Sequence, residues 1–273
     1  RAREKCIVVV LAGHGGRDRD GAFLFPDDAD TSPSSRVRLR ALIDRLAALP
    51  AKRQKFLILD ATEPPAYPDH GIVHNDFAAA AEELNDAIAA VPNLAVLVSS
   101  GVDQRSWPFP ESGLTVFGHH VQTALAGAAD LDGDRHVTGW ELAAFTTSRV
   151  KAWARDQRAA LQEPILLPRG PEGETRTRGM HLVAVRPVPA SPPEPPAPFE
   201  PPPELKQTWE TYRTLATATP PPEAYTPQEW RQFEAWALRH ERHVLANDAA
   251  GAATARGKLD DLRRRIEAER RLP

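Results

Sequence analysis

The chain has 273 residues, a formal net charge of −3 and one cysteine. This length suits one large domain or two modest ones, and a hydrophobic share of 41% is enough for a packed core. The balanced charge argues against a dedicated nucleic-acid binder, whose surface would be strongly basic. The longest apolar run, residues 6–12, is too short to cross a bilayer, and one cysteine excludes an internal disulfide and a multi-cysteine zinc site.

Up to residue 186, short apolar runs alternate with stretches of helical spacing. The apolar runs predict strands at residues 6–11, 56–59, 94–98 and 180–185. Helical spacing predicts helices at 37–49, 77–91, 116–126 and 140–155. The continuous first run predicts a strand buried on both faces. The alternation favours an α/β fold, with a mostly parallel sheet flanked by helices.

A proline-rich segment at residues 187–203 separates this region from the rest of the chain. Such a composition favours extended polyproline II and predicts a semi-rigid linker; a ligand for a proline-recognising module is the alternative. We therefore expect a domain at 1–186, a linker at 187–203 and a small α-helical module at 204–273.

The helical module is predicted from aromatic spacing and from one strong start signal. Thr226, followed by Pro227 and Glu229, predicts a helix start with a capping box. The basic end, near residue 264, predicts a solvated helix face. The aromatic residues at helical spacing predict the core of a small bundle, with a docking surface for a protein partner as the alternative: Trp209, Tyr212, Tyr225, Trp230, Phe233 and Trp236.

Three predicted strands end in residues capable of chemistry. The first is followed by Gly13-His14-Gly15, the second by Asp60-Ala61-Thr62 and the third by Ser99-Ser100. In open α/β sheets, ligands bind beyond the carboxyl ends of the strands. A histidine between glycines at such an end is expected to be exposed, with backbone N–H groups close to any substrate.

These strand ends resemble the caspase-like cysteine peptidases of clan CD, the peptidase C14 group, and particularly their bacterial members. In that family one strand ends in G-H-G with the catalytic histidine, and the next ends in D-x-C-x-[SG]-G with the nucleophile. His14 and Thr62 occupy these positions here. The resemblance covers residues 5–186 and includes D-G-A-F-L-F-P-D-D-A-D (20–30), S-G-L-T-V-F-G-H-H-V-Q-T-A-L-A-G-A-A-D (112–130) and Q-E-P-I-L-L (162–167).

The resemblance implies a caspase-like sheet and an oxyanion hole that uses the N–H groups of Gly15 and Thr62. The family has one or two strands before the histidine strand, and the sequence shows none here. Either these first strands are missing or the sheet has an exposed edge. The chain opens on Arg1 without a methionine or a leader, so we expect a piece of a longer protein. The localisation stays open, with the cytoplasm favoured.

The family's nucleophile is absent, because Thr62 replaces the cysteine and Pro64-Pro65 replaces the glycine that should follow. A threonine hydroxyl has no population comparable to a thiolate, and an internal threonine lacks the N-terminal amine that activates threonine nucleophiles elsewhere. Cys6 lies in a strand upstream of His14 and cannot substitute. We expect an inactive pseudopeptidase that acts in scaffolding or regulation through a protein or peptide partner. The alternative is an active hydrolase that uses His14 with Thr62 or another nucleophile.

Residues 130–141, here called the aspartate loop, match the twelve-residue EF-hand pattern and predict a Ca²⁺ site. Arg135 replaces the usual glycine at the sixth position, where positive φ is needed, so we expect weakened affinity. The alternative is a surface turn that caps the next helix, and a third interpretation of the whole chain is a calcium-responsive adaptor. The predicted ligands are Asp130, Asp132, Asp134, His136 through its backbone carbonyl, Thr138 and Glu141.

Two further sites are weaker alternatives. His70, His74, His119 and His120 could join His14 at a zinc ion, although no ligand spacing specifies such a site. Ser100 could pair with His14 in a serine hydrolase, but no G-x-S-x-G motif surrounds it.

Overall fold

The computed structural model describes residues 6–26, 28–30, 32–63, 76–109, 113–185 and 201–270, without the side chains of Thr62 and Glu63. Two compact units divide the chain. The first comprises Arg1–Ala152 and Leu161–Pro192, and the second comprises Trp153–Ala160 and Pro193–Pro273. The predicted linker lies outside the described residues as far as residue 200.

The first unit is an α/β unit, as predicted. Its strands are β1 (Ile7–Asp18), β2 (Gly21–Phe25), β3 (Val37–Arg38), β4 (Lys55–Glu63), β5 (Leu94–Val98), β6 (Pro108–Phe109), β7 (Leu114–Thr115), β8 (His136–Thr138), β9 (Ile165–Leu167) and β10 (His181–Ala184). The helices that start in it are α1 (Leu39–Ala47), α2 (Phe77–Glu82), α3 (Asn85–Ala89), α4 (Val116–Thr123), α5 (Gly139–Arg158) and α6 (Pro171–Arg178).

Six strands form one mixed sheet in the order β3-β2-β1-β4-β5-β9. The central strands β1, β4 and β5 are parallel, while β2, β3 and β9 add antiparallel neighbours at the two sides. Leu57, Leu59 and Val96 pack with α1, α2 and α3 in one core cluster. The alternate residues Phe56 and Ile58 are buried as well, and so is every residue of β5, so both faces of β4 and β5 are covered.

Two strand predictions need correction. β1 is not buried on both faces, because residues 7–11 are half-buried or exposed and Val10 is 51% exposed. Among the described residues, the pairing of β2 with β1 is confined to Gly15–Asp18, so the first half of β1 has a sheet neighbour on one side only. The predicted strand at 180–185 is β10, which pairs with β8 in a separate two-stranded ladder.

The second unit contains α7 (Pro203–Ala216), α8 (Pro227–Leu245), α9 (Ala249–Glu269) and residues 153–158 of α5. Trp209, Tyr212, Trp230 and Phe233 are buried, which confirms these four as core residues. Their rings contact one another, with centroids 4.8 Å apart for Tyr212 and Trp230. Tyr225 and Trp236 are only half-buried.

The predicted start of α8 is correct, but its capping box is not formed. Thr226 holds the N-cap position without a side-chain cap hydrogen bond. Its hydroxyl donates instead to the carbonyl oxygen of Pro222 at 3.3 Å, because a preceding 3₁₀ turn brings that oxygen within reach. At the other end of the module, Arg263 to Arg265 are exposed while Leu262 and Ile266 are buried, so the basic end is a solvated helix face. Every helix in the described ranges is too short or too polar to span a lipid bilayer.

Candidate functional site

The sheet brings two predicted catalytic positions side by side. β1 and β4 are parallel neighbours, and their register pairs His14 with both Thr62 and Glu63 across a bulge. The His14 side chain is exposed. Only the backbone of Thr62 lies within the described structure, so the use of the two side chains as a catalytic pair stays a prediction.

The sequence pattern predicts that the glycines around His14 follow the end of the first strand. In the structure they lie within β1. β1 continues to Asp18 because, after His14, it exchanges its parallel partner β4 for the antiparallel partner β2. Gly15 is buried in this second ladder, opposite Leu24. Its proposed role as an oxyanion donor stays a prediction.

Gly15 has a packing role that Gly13 lacks. A Cβ atom at Gly15 would lie 2.7 Å from Cδ2 of Phe77 and 2.8 Å from the carbonyl oxygen of Ala61, closer than real Cβ atoms approach. A Cβ atom at Gly13 would meet only the Phe25 carbonyl oxygen, at 4.0 Å. The absent side chain therefore lets the β4 backbone and Phe77 approach β1.

We expect Gly15→Ala to destabilise the first unit by about 1–3 kcal/mol through overpacking. Gly13→Ala is the matched control, with little expected change. Urea unfolding followed by circular dichroism measures both. Equal free energies of unfolding for the two variants would show that Phe77 and Ala61 do not restrict this position.

Asp60, two residues before Thr62, is a buried carboxyl group that the sequence analysis did not assign. Its Oδ2 accepts a hydrogen bond from Thr115, the N-cap residue of α4. Burial raises the pKa of Asp60, while hydrogen bonds from Thr115, Ser106 and Ser99 act in the opposite direction. Its position at the end of an apolar strand was the sequence signal. Asp60 fixes α4 to the carboxyl end of β4.

The alternative sites receive no support from the geometry. Ser100 is buried and its hydroxyl donates to the backbone carbonyl of Gln104 at 3.2 Å. His119 packs against Phe109, and burial lowers the pKa of His120 to about 4. Within the described ranges, neither histidine belongs to a cluster of potential metal ligands. His70 and His74 lie outside those ranges.

The aspartate loop follows a π-helical turn (Ala124–Ala128) and leads into α5. Asp130, Asp132 and Asp134 each offer a carboxylate oxygen, and these oxygens all lie within 4.8 Å of one another. The predicted first, third and fifth ligands therefore converge. Glu141 is not part of this cluster.

The loop backbone has the turn that the EF-hand pattern requires. Arg135 adopts φ +68°, the left-handed conformation predicted for the sixth position, and Gly133 adopts φ +78°. Asp130 accepts hydrogen bonds from the N–H groups of Gly133 and Arg135, at 3.0 and 3.1 Å. These bonds hold the Asp130 carboxylate against the loop backbone.

Glu141 takes part in a capping box at the start of α5. Its Oε2 accepts the N–H and the hydroxyl of Thr138, both at 2.8 Å, and the Thr138 hydroxyl oxygen accepts the N–H of Glu141 at 3.2 Å. Its Oε1 accepts the N–H of Leu131 at 3.0 Å. Burial raises the pKa of Glu141, but these hydrogen bonds outweigh it and the net pKa is lowered. Thr138 and Glu141 thus form the predicted helix cap, and the same two residues are predicted calcium ligands.

No protein-family model matches the chain, and no curated protein matches it either. The resemblance to caspase-like peptidases therefore rests on the sequence motifs alone, and the α/β fold is common to many activities. The converging aspartates are the more specific geometric feature.

Proposed function

We propose that this chain is a calcium-binding protein whose peptidase-like sheet is catalytically inactive. The observation that carries the proposal is the convergence of Asp130, Asp132 and Asp134 in a loop with positive φ at Arg135. Ca²⁺ takes six to eight oxygen ligands in flexible geometry, and carboxylates spaced in this way suit it. The backbone carbonyl of His136 and the side chains of Thr138 and Glu141 would supply further oxygen atoms.

Two features of the loop would weaken the affinity. The Arg135 guanidinium adds a positive charge to a loop that must attract a cation. Glu141 already binds Thr138 and Leu131, so its carboxylate would have to exchange these hydrogen bonds to coordinate the ion. We therefore place the site among weaker calcium sites, in the range of roughly 10⁻⁵ to 10⁻³ M.

Isothermal calorimetry with Ca²⁺ on the full chain tests this proposal. We expect binding that Asp132→Ala weakens at least about tenfold, because one of three converging carboxylates is lost. Asp260→Ala, an exposed position on α9, is the control and should leave binding unchanged. An absence of heat at millimolar Ca²⁺, or binding that Asp132→Ala leaves intact, would remove the calcium claim.

The inactivity of the sheet is supported by the state of the only thiol. Cys6 is half-buried, and burial raises the pKa of its thiol to about 11, so it holds no thiolate at neutral pH. The residue paired with His14 in the β1–β4 ladder, at the position of the family's cysteine nucleophile, is Thr62. We propose that no residue of this chain serves as a peptidase nucleophile. The domain would then descend from an ancestral domain that had such a nucleophile.

Peptide substrates with acidic and basic residues before the scissile bond test this second part. We expect the wild-type chain to leave both intact, and Thr62→Cys to carry a thiol that iodoacetamide alkylates faster than Cys6. Adding His14→Ala to that variant should slow the alkylation, because the imidazole would promote thiolate formation. Wild-type hydrolysis that is lost in His14→Ala or Thr62→Ala would instead establish the alternative, an active hydrolase.

A protein partner completes the proposal, in a scaffolding or regulatory role. The feature that supports it is Trp236, a half-buried tryptophan on α8 with the Arg239 guanidinium 4.7 Å above its ring. Aromatic residues and arginine together are enriched at energetically important interface positions.

A further inference from the structure

Two histidines that are far apart in sequence meet at the edge of the aspartate loop. His136 is the first residue of β8, and His181 is the first residue of β10. The antiparallel ladder pairs His181 with Thr138 and Ala184 with His136, so the two histidines are diagonal neighbours. Their ring centroids are 5.2 Å apart and the rings are nearly perpendicular, at 80°.

Asp134 completes a group of three potential ligands. One carboxylate oxygen of Asp134 and one ring nitrogen from each histidine all lie within 4.8 Å of one another. Oδ1 of Asp134 accepts the backbone N–H of His136 at 2.7 Å, which holds the carboxylate beside the ring. Nδ1 of His136 is 3.5 Å from that Oδ1.

One of these distances matches the ligand spacing around a small tetrahedral ion. Zinc bonds of about 2.0–2.1 Å place two ligand atoms of a tetrahedron about 3.3 Å apart, close to the observed nitrogen-to-oxygen distance. His181 is exposed and His136 is half-buried, so solvent can reach a fourth ligand position. Imidazole nitrogen is a preferred ligand of Zn²⁺ and similar transition metals, and it is not a ligand for Ca²⁺.

We propose that Asp134, His136 and His181 form a transition-metal site that takes Zn²⁺ with water as the fourth ligand. The site is separate in its chemistry from the proposed calcium site, and it does not depend on that proposal. Both would share Asp134, so occupancy of one should change the affinity of the other by the same factor in each direction. Its ligands come from two segments that pair in the β8–β10 ladder, and zinc would therefore fasten β10 to the aspartate loop.

Zinc titration of the full chain against a chromophoric chelator tests the proposal, together with Co²⁺, whose visible absorption reports tetrahedral nitrogen and oxygen ligands. We expect His181→Ala and His181→Gln to weaken Zn²⁺ binding at least about tenfold and to abolish the tetrahedral Co²⁺ spectrum. His119→Ala, in the same unit, should bind Zn²⁺ as the wild type does. Since His181 is exposed at a strand end, these variants should keep the wild-type circular dichroism spectrum.

Different variants test the calcium proposal and the zinc proposal. Asp132→Ala should weaken Ca²⁺ binding and leave Zn²⁺ binding unchanged, whereas His181→Ala should weaken Zn²⁺ binding and leave Ca²⁺ binding unchanged. Zn²⁺ binding that is equally tight in His181→Ala, or lost only in His119→Ala, would overturn the histidine site and leave the calcium proposal intact. An octahedral Co²⁺ spectrum in the wild type would overturn it as well.

Discussion

Replacing Arg158 by alanine is expected to destabilise the helical unit by about 3–5 kcal/mol. Arg158 is 3% exposed and donates to Oε2 of Glu241 at 2.9 Å. Its guanidinium lies over the rings of Trp209, 3.4 Å from the centroid, and Trp153, 4.5 Å from the centroid. The Trp209 indole also donates to Glu241. Without Arg158, a buried carboxylate keeps one neutral hydrogen-bond donor and loses its counter-ion.

Burial dominates the ionisation of this pair. It raises the pKa of Glu241 and lowers the pKa of Arg158 to about 10, although each partner favours the charged form of the other. The pair therefore adds little net stability compared with apolar packing. Removing one partner still lowers the free energy of unfolding strongly, because the other charge stays buried. We expect the double variant Arg158→Met with Glu241→Leu to recover most of the stability that Arg158→Ala loses.

Denaturant unfolding of the full chain, followed by tryptophan fluorescence, measures this effect, and hydrogen exchange assigns it to α7 and α8. The matched control is Arg155→Ala, on the same helix, whose exposed ion pair with Asp156 should contribute nothing measurable. A loss below about 1 kcal/mol in Arg158→Ala, or a double variant no more stable than the single one, would contradict the buried-pair argument.

The second large effect is expected at Glu141. Glu141→Ala removes the acceptor for the N–H groups of Thr138 and Leu131 and the helix cap that Thr138 forms with it. A lost cap costs about 1 kcal/mol and lost hydrogen bonds to a charged acceptor about 1.5–3 kcal/mol, so we expect a total near 2–4 kcal/mol. Calcium binding should weaken in the same variant if Glu141 supplies the twelfth-position ligand.

The pH dependence of this effect has a definite sign. The pKa of Glu141 is lower in the folded chain than in the unfolded one. Its ionised form therefore stabilises the fold above the unfolded value, about 4.3, and this contribution is lost as the pH falls through the folded value. The difference in unfolding free energy between the wild type and Glu141→Ala should be full at pH 6–7 and should shrink below about pH 4.

Chemical denaturation at several pH values checks this. Glu174→Ala is the control, because the pair of Glu174 with Arg178 is half-exposed on α6 and should contribute at most about 0.5 kcal/mol. A difference that stayed constant from pH 7 to pH 3 would mean that the hydrogen bonds of Glu141 do not depend on its charge.

The amino-acid sequence by itself determined the features that depend on neighbouring residues. The apolar run at residues 94–98 predicted β5 to the residue, because five consecutive buried side chains need no information from elsewhere. The positive φ of Arg135 and the convergence of the aspartates follow from spacing within twelve residues. The cap formed by Thr138 and Glu141 likewise depends on a separation of three residues.

Only the tertiary structure decided the features that join distant segments. Alternation of strands and helices predicted the α/β class, but it could not show that β2 covers just the second half of β1 and leaves Val10 exposed. The contacts of Arg158 with Glu241 and of His136 with His181 span tens of residues. Such pairs leave no local pattern, because the residues between them set their distance through packing and strand register. The chemical type of each residue is therefore known from the sequence, whereas its contact partner depends on the tertiary structure.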